Sequence, residues 1–212
     1  MFPIVPLASL IFERGYTRGA EIGVWRGDSS NFILNLPGIE NLYMVDAWQV
    51  YKRQGSPQEV LDTIYEQVKK RVEPFRDRAV IVRRLSTQAA QIVPKDLDFV
   101  FIDASHDYES VKEDIEAWRH HIRPGGVLAG DDYCLDPYPN DLETHLAVNE
   151  AFGDNVKFIA STGYMQTKHE STYSKAPDGT PIVCFYEKRF WYVEYEDLCK
   201  LPLPQCRSLN LS

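Results

Sequence analysis

The feature that most constrains the fold of this sequence is a buried strand followed directly by an amphipathic helix. Residues 97–103 (LDFVFID) are almost continuously apolar, as in a parallel strand that is covered on both faces. In residues 108–122 the apolar side chains recur at spacings of three and four, which places them on one stripe of a helix. Residues 124–126 (PGG) end the helix, and the chain enters another apolar run. A strand, a helix and a second strand in this order predict a unit of parallel sheet.

The same alternation of short apolar runs and helical patterns continues along the chain, without an internal repeat. It predicts an α/β fold of the Rossmann-like, doubly wound type, with a seven-stranded, mostly parallel sheet and helices on both faces. The predicted strands cover residues 19–24, 42–46, 79–82, 97–103, 127–131, 156–160 and 182–187. The predicted helices cover residues 28–34, 57–72, 87–92, 108–122 and 141–152. We expect a single domain over residues 1–212, with an N-terminal helical segment at 1–18 and a C-terminal appendage at 189–212.

Composition limits the classes of partner. The 212 residues hold 23 Lys and Arg against 31 Asp and Glu, a net charge of −8. Nucleic acids and anionic membranes require a concentrated positive surface, so we expect neither as the main partner. The sequence contains no apolar run long enough to span a membrane, and its first residues lack the basic region of a signal peptide. None of the four cysteines forms a C-x-x-C pair, so we expect reduced thiols and a cytoplasmic protein, with a Cys199–Cys206 bridge left open.

A glycine turn follows the first predicted strand, in the segment EIGVWRGDSS at residues 21–30. Gly23 and Gly27 allow the backbone to bend sharply and approach a ligand, and the next helix begins with N–H groups that favour an anion. The pattern is neither G-x-G-x-x-G nor a phosphate-binding loop, which disfavours a dinucleotide or ATP. Asp46 ends the second strand, where doubly wound folds bind ribose hydroxyls. Together the two features predict an adenosine-type ligand, although a tight turn with a helix cap would explain the glycines alone.

Three carboxylates follow two neighbouring strands of the predicted sheet. Asp103 ends one strand, and Asp131 and Asp132 end the next, so their side chains are expected to converge in one crevice. Such carboxylates repel each other unless a cation lies between them, and oxygen ligands suit Mg²⁺ or Mn²⁺. Ordinary loop acids or helix caps are the alternative. His106, three residues beyond Asp103, is a candidate general base, or else an imidazole that merely flanks the helix or the metal.

Four segments of the sequence resemble one known family. These are EIGVWRGDSS, VDAWQ, FVFIDASHDYESVKEDIEAW and RPGGVLAGDDY, and the resemblance covers roughly residues 19–135. They look like a class I methyltransferase that depends on S-adenosyl-L-methionine. More narrowly, they are similar to the small metal-dependent O-methyltransferases that act on sugar hydroxyls of macrolide and aminocoumarin antibiotics, and to related glycan-methylating domains.

The resemblance implies roles for particular residues. The cofactor would contact Glu21, Gly23, Trp25, Gly27, Ser29, Ser30, Asp46, Ala47, Trp48, Ser86 and Asp103. The divalent-metal ligands would be Asp103, Asp131 and Asp132. The catalytic residues would be His106, as the base, and Asp103. Some relatives carry an aspartate in place of this histidine, so a metal-ligand carboxylate could instead take the proton.

The implied function is an S-adenosylmethionine-dependent O-methyltransferase, assisted by Mg²⁺ or Mn²⁺, that methylates a hydroxyl of a sugar or glycoconjugate. A catechol or another small phenol is the alternative acceptor; a cofactor-binding module without catalysis and a nucleotide-sugar enzyme are further alternatives. We expect a small-molecule or glycan acceptor, which the tyrosines could stack on unless they pack in the interior. The candidate acceptor contacts are Tyr51, Arg53, Tyr108, Tyr133 and Tyr138. Exposed aromatic residues at 190–192 would favour a homodimer.

Overall fold

The computed structural model describes residues 4–50, 55–134, 143–159, 169–175, 181–184 and 188–199. Its helices are α1 (Ile4–Arg14), α2 (Asp28–Leu34), α3 (Gln58–Val72), α4 (Ser86–Ala89), α5 (Tyr108–Trp118), α6 (Thr144–Phe152) and α7 (Tyr195–Leu198). Its strands are β1 (Arg18–Ile22), β2 (Asn41–Asp46), β3 (Ala79–Arg83), β4 (Leu97–Ile102), β5 (Ile122–Cys134), β6 (Lys157–Ile159), β7 (His169–Lys175), β8 (Pro181–Cys184) and β9 (Lys188–Glu194). Short 3₁₀ segments at Glu73–Phe75, Arg119–His121 and Gly153–Asn155 follow α3, α5 and α6.

The main sheet has the strand order β3-β2-β1-β4-β5-β9-β6. Strands β1 to β5 run parallel, and β9 runs antiparallel to both β5 and β6. This confirms the predicted Rossmann-like, mostly parallel sheet of seven strands. From β1 the chain moves outward to β2 and β3, and then returns to β4 on the other side of β1. Such a reversal leaves a crevice at the carboxyl ends of the strands, where ligands bind.

Strand β4 lies at the centre of the core, and all its residues are buried. Phe99 and Phe101 join the apolar cluster formed with α1, α2 and α3 on one face of the sheet. Val100 and Ile102 join the cluster formed with α4, α5 and α6 on the other face. Side chains alternate across a strand, so a strand that is apolar at nearly every position packs on both sides. The prediction of a strand covered on both faces is therefore confirmed.

The C-terminal part of the described chain differs from the sequence prediction, because Lys188–Glu194 is not part of an appendage. It forms β9, which lies inside the main sheet between β5 and β6. Phe190 and Trp191 are buried and Tyr192 is half-buried, so these aromatics do not form the exposed surface from which a homodimer was expected. Gly130 makes room for Trp191, since a Cβ at this glycine would lie 2.5 Å from the indole ring.

The strand expected at residues 182–187 is also placed differently. Pro181–Cys184 forms β8, which pairs with β7 in a separate two-stranded sheet. An apolar run indicates that a strand exists but not which strand it will pair with, because the partner is distant in the sequence. The seventh strand of the main sheet is thus β9, which directly follows the predicted run.

Two further sequence expectations concern membrane-spanning segments and the pairing of cysteines. No helix in the described part of the chain is long and apolar enough to cross a membrane. Cys199 is exposed just after α7, and its suggested partner Cys206 lies outside the described residues.

Candidate functional site

A cavity of about 640 Å³ opens at the carboxyl ends of β1, β2 and β4, where the strand order predicts a ligand site. This volume is typical of small-molecule sites. The cavity wall brings together seven residues that were predicted to hold the cofactor, namely Gly23, Trp25, Ser29, Asp46, Ala47, Ser86 and Asp103. His106, the predicted base, lines the same cavity. Arg84, Glu113 and Asp114 also line it and were not predicted, because only the tertiary fold brings α5 and the β3–α4 loop to this wall.

The turn at Gly23 brings the ends of β1 and β4 into contact in the cavity wall. Gly23 has a φ of 96°, a left-handed conformation that glycine adopts without strain. A Cβ at this position would lie 2.2 Å from the carbonyl oxygen of Asp103 and 2.6 Å from Cα of Ala104. The turn therefore requires glycine. The second glycine of the motif, Gly27, precedes α2 with a φ of 74° but lies outside the cavity wall.

Glu21 and Ser30 were predicted to contact the cofactor, but they lie behind the turn instead of in the cavity wall. Glu21 is 1% exposed and accepts a hydrogen bond from the hydroxyl of Ser30 in α2. Burial raises the pKa of Glu21 to about 8; the bond from Ser30 opposes this rise, and the nearby carboxylates of Asp103 and Asp46 add to it. The carboxyl group is therefore protonated at neutral pH, and it joins β1 to α2.

Asp46 lies at the end of β2 and organises the two loops around it. Its carboxylate accepts hydrogen bonds from the backbone N–H groups of Trp25 (2.8 Å) and Trp48 (2.8 Å). Burial raises the pKa of Asp46, and backbone donors oppose that rise. Both tryptophans have left-handed backbones, with φ of 50° and 42°. This conformation costs about 1–2 kcal/mol per residue, so Asp46 holds two strained residues beside the cavity.

The two tryptophans have different environments. Trp48 was predicted to flank the adenosine, but it is buried beneath the loop and its ring packs against Tyr65. Its indole N–H donates to the carbonyl oxygen of Trp25 at 2.9 Å. Trp25 is 39% exposed and lines the cavity. Of the two, Trp25 is therefore the residue whose side chain a ligand can reach.

Asp103, His106 and Asp132 form a cluster beside the cavity. Each offers one possible ligand atom, and these atoms lie within 4.8 Å of one another. Nε2 of His106 is 2.9 Å from Oδ2 of Asp132 and 3.6 Å from Oδ1 of Asp103. Burial acts to lower the pKa of His106, but the two carboxylates outweigh it and raise the pKa to about 10. Without another cation nearby, the imidazole therefore carries a proton at neutral pH.

Asp131 was predicted as a metal ligand but does not belong to this cluster. Val127 and Ala129 pack on the side of the sheet covered by α1 to α3, and Leu128 packs on the other side, so alternation along β5 would direct the adjacent residues Asp131 and Asp132 to opposite faces. Asp132 has a φ of 57°, and its carboxylate meets His106. The structure thus brings together the histidine and two of the three predicted carboxylates.

The candidate acceptor residues that the structure describes lie outside the cavity wall. Tyr133 is buried; its hydroxyl donates to Asn149 at 2.9 Å, and its ring packs against Phe158. Tyr108 begins α5, and its hydroxyl donates to Glu150. Both tyrosines therefore make contacts with other residues of the chain. Tyr51, Arg53 and Tyr138 lie outside the described residues.

Glu143 was not predicted, yet it is bonded to the loop that carries His106. Its backbone N–H donates to the carbonyl oxygen of His106 at 2.9 Å. Its carboxylate accepts a hydrogen bond from the backbone N–H of Tyr108 at 3.0 Å. Because Glu143 directly precedes α6, it joins the start of this helix to the start of α5. No motif in the sequence links positions 106 and 143, so only the folded chain reveals the contact.

Known proteins resemble this chain in sequence and in fold. A family model described as a methyltransferase domain matches residues 20–133. The uncharacterized protein R132 of Acanthamoeba polyphaga mimivirus is 24% identical over 161 residues, which cover 72% of this chain and 67% of that protein. The fold is similar to that of an O-methyltransferase from Bacillus cereus in complex with SAH, with 18% identity, a TM-score of 0.58 and coverage of 90% of this chain and 80% of that one. It is also similar to a proposed caffeoyl-CoA O-methyltransferase from Staphylococcus aureus, with 13% identity, a TM-score of 0.60 and coverage of 90% and 82%.

These comparisons agree with the geometry of the cavity. At such low identities the solved structures establish the fold, whereas the family model covers more than half of the sequence. The matched residues run from β1 to the end of β5 and include the Gly23 turn, Asp46 and the Asp103–His106–Asp132 cluster. The chain therefore belongs to the methyltransferase-domain family.

Proposed function

We propose that the protein is an O-methyltransferase that requires a divalent metal and acts on a hydroxyl of a sugar or glycoconjugate. The observation that carries this proposal is the cluster of Asp103, His106 and Asp132 beside the cavity. Two carboxylates and an imidazole can hold a cation and accept a proton. Methylation of a weakly acidic hydroxyl requires both tasks, because the oxygen must be positioned and its proton removed.

Residues of the cavity wall would hold S-adenosylmethionine, which when bound supplies a methyl group activated on a sulfonium. Asp46 lines the wall and would accept hydrogen bonds from the ribose hydroxyls. Ser29 lies in the first turn of α2, where free backbone N–H groups favour a carboxylate such as that of the methionine part. The close contact between Gly23 and Asp103 would join this binding region to the reacting centre. Holding both reactants in one orientation is itself a large contribution to rate.

The cluster fits a divalent cation. Nε2 of His106 is buried and lies close to the carboxylates of both Asp103 and Asp132. Asp132 is 4% exposed, and a buried carboxylate requires compensating positive charge. Asp103, His106 and Asp132 would therefore hold Mg²⁺ or Mn²⁺, whose chemistry is to lower the pKa of a hydroxyl and fix its oxygen.

The proton of the acceptor hydroxyl would pass to this cluster. Two kinds of group can take it: the imidazole of His106, if this nitrogen does not bind the metal, or a carboxylate of Asp103 or Asp132. With a pKa of about 10, His106 is already protonated at neutral pH unless the two carboxylates are neutralised by another charge. A sugar hydroxyl ionises only far above neutral pH, so one of these groups must lie against it.

The test is transfer of radiolabelled methyl groups by the full chain to a panel of glycosides and catechols. We expect transfer to glycosides that EDTA abolishes and that Mg²⁺ or Mn²⁺ restores. Asp132→Asn should reduce turnover by about 100-fold or more, because it removes one charge from the cluster. Asp154→Asn, at an exposed acid beyond α6, is the matched control and should behave as the natural protein.

Each other outcome of this experiment contradicts a specific part of the proposal. Transfer to catechols and never to glycosides would select the alternative acceptor class. Turnover that is unaffected by EDTA would exclude the metal. Calorimetry that detects no binding of S-adenosylmethionine would exclude the enzyme itself and leave a module that keeps the fold without the activity.

A further inference from the structure

We propose that the metal ligands of this chain are Asp103, His106 and Asp132, so that the site contains an imidazole and selects Mn²⁺ over Mg²⁺. The inference rests on the proposed function in one respect, namely that a divalent cation binds at this cluster. It differs from the expectation of three carboxylates, in which Asp131 is a ligand and His106 is the base.

The distances between the three side chains suit neighbouring ligands of one ion. In an octahedral site with bonds of about 2.1 Å, adjacent ligand atoms lie about 3.0 Å apart. Nε2 of His106 is 2.9 Å from Oδ2 of Asp132 and 3.6 Å from Oδ1 of Asp103. The three possible ligand atoms lie within 4.8 Å of one another, so the three groups could hold one ion together.

The position of Nε2 agrees with a shared cation. The atom is buried and lies against the carboxylates of Asp103 and Asp132. The loop that carries it is held in place by the bond from the N–H of Glu143 to the carbonyl oxygen of His106. A nitrogen that is buried, fixed and directed at two carboxylates is arranged as a ligand of a shared ion.

Asp131 is not part of this group, because the possible ligand atoms that lie within 4.8 Å of one another belong to Asp103, His106 and Asp132. Its carbonyl oxygen accepts a hydrogen bond from the indole N–H of Trp191 in β9, at 3.2 Å. The neighbouring strand therefore helps to fix the backbone at Asp131.

An imidazole ligand changes which metal the site prefers. Mg²⁺ requires oxygen ligands in a near-ideal octahedron and retains several waters. Imidazole nitrogen suits transition metals, and Mn²⁺ accepts nitrogen together with carboxylate oxygen. A site of one nitrogen and two oxygens should therefore bind Mn²⁺ more tightly than Mg²⁺. A histidine that binds the metal cannot also accept the proton, so a carboxylate becomes the base.

The experiment is a titration of the purified full chain with Mn²⁺, followed by the loss of the EPR signal of the free ion, with and without competing Mg²⁺. We expect the natural protein to prefer Mn²⁺ on the order of tenfold or more. His106→Asn should weaken Mn²⁺ binding about 10–100-fold, and His106→Asp, which makes the ligands all oxygen, should abolish the preference over Mg²⁺. His120→Asn is the control, since His120 is exposed after α5, and it should leave Mn²⁺ binding unchanged.

A second pair of variants tests the two adjacent aspartates. Asp132→Asn should lose Mn²⁺ binding, whereas Asp131→Asn should retain it, provided that circular dichroism shows both variants to be folded. The opposite result would overturn the proposal, as would a His106→Asn variant that binds Mn²⁺ like the natural protein.

Failure of this inference can be separated from failure of the proposed function. Calorimetry of S-adenosylmethionine binding and the methyl-transfer assay are measured on the same preparations. If Mn²⁺ binds but the substitutions at His106 have no effect, the ligand assignment is wrong and metal-assisted transfer stands. If neither metal binds while methyl transfer proceeds, the ligand assignment and the metal requirement are both wrong.

Discussion

A buried acid, Glu21, and a half-buried acid, Asp46, have different partners near the cavity, and these partners decide what each acid does. Burial raises the pKa of both Glu21 and Asp46. Asp46 receives hydrogen bonds from backbone N–H groups, which favour its charged form and keep it suited to binding ribose hydroxyls. Glu21 receives one hydrogen bond from the hydroxyl of Ser30, and its pKa remains at about 8. Two acids of one predicted binding site thus act differently, one as a hydrogen-bond acceptor and one as a protonated structural group.

Replacing Glu21 with Gln should remove a pH dependence of stability. Glu21 keeps its proton up to about pH 8 in the folded chain, but in the unfolded chain it loses the proton near its ordinary pKa of 4.5. Between these values the unfolded state binds fewer protons. The free energy of unfolding of the natural protein should therefore fall as pH rises, by at most about 1.4 kcal/mol per pH unit from this group.

Urea unfolding of the natural protein and of Glu21→Gln at several pH values between about 5 and about 8 measures this effect. The variant keeps a side chain of similar size that does not titrate. We expect its stability relative to the natural protein to increase with pH across this window. Two stability curves that stay parallel would show that Glu21 is ionised in the folded chain.

At the scale of secondary structure elements, the start of α6 contacts the loop between β4 and α5, which carries His106. Glu143 contacts this loop twice, with its N–H on the carbonyl oxygen of His106 and its carboxylate on the N–H of Tyr108. The second contact places a negative charge at the N-terminus of α5, where the helix dipole favours it. Asp107 caps the same helix by accepting from the N–H of Ser110 at 3.1 Å. Glu143 and the cap together fix the backbone from the carbonyl group of His106 to the first turn of α5.

Glu143→Ala should loosen the loop that carries His106 without unfolding the chain. The substitution removes the carboxylate bond to the N–H of Tyr108, two residues after His106, and keeps the backbone bond to the carbonyl oxygen of His106. We expect kcat to fall about tenfold, with little change in KM for S-adenosylmethionine, because Glu143 lies outside the cavity wall. Glu143→Gln retains an oxygen acceptor and should restore most of the rate. Steady-state kinetics and Mn²⁺ affinity are the measurements, with thermal melting as the check on folding.

Glu109→Ala is the matched control for this prediction, since Glu109 is an exposed acid in the same first turn of α5. It removes a charge that favours the helix but no contact with the loop. If Glu109→Ala lowers kcat as much as Glu143→Ala does, the effect arises from the charge at the helix terminus and not from the positioning of His106.

At the scale of the whole molecule, the main sheet is completed by a strand from the far end of the described chain. Strand β9 pairs antiparallel with both β5 and β6, and β5 carries Asp132 at its end. Trp191 of β9 packs against Gly130, and its indole N–H donates to the carbonyl oxygen of Asp131. The register between these two strands shifts between Gly130 and Tyr133. The packing of β9 against Gly130 therefore lies next to the register shift in the stretch of β5 that contains Asp132.

Gly130→Ala should destabilise the protein and also disturb the cluster of Asp103, His106 and Asp132. The added Cβ would lie 2.5 Å from the ring of Trp191, and overpacking of this kind costs about 1–3 kcal/mol. Gly55→Ala is the control, because no atom lies within 4 Å of the Cβ that it would add. The measurements are urea unfolding and Mn²⁺ titration.

A second substitution tests whether the loss of stability comes from the clash with the ring of Trp191. Trp191→Leu combined with Gly130→Ala should be less destabilising than the sum of the two single changes, because the smaller side chain leaves room for the methyl group. Additive effects would show that the two residues do not share the contact seen in the structure.

Much of the fold and part of the site can be predicted from local patterns. The strand at 97–103 and the helix after it follow from a continuous apolar run and a spacing of three and four, and both patterns depend only on nearby residues. Asp46, Asp103 and Asp132 were predicted to lie at strand ends, and parallel strands share one edge of the sheet. The general position of the ligand cavity followed from the strand order that these patterns favour.

The sequence by itself thus determined the class of fold, the edge of the sheet that carries the cavity and the residue types available there. Only the tertiary structure decided which of them meet. The cluster contains Asp132 and not its neighbour Asp131, and Asp132 has an unusual backbone φ of 57°. Trp48 is buried because its indole bonds to the loop of Trp25, and Glu143 reaches His106 from a helix that lies far along the chain. Such contacts depend on backbone angles and on packing between distant segments, and neither property is encoded in a local pattern of residues.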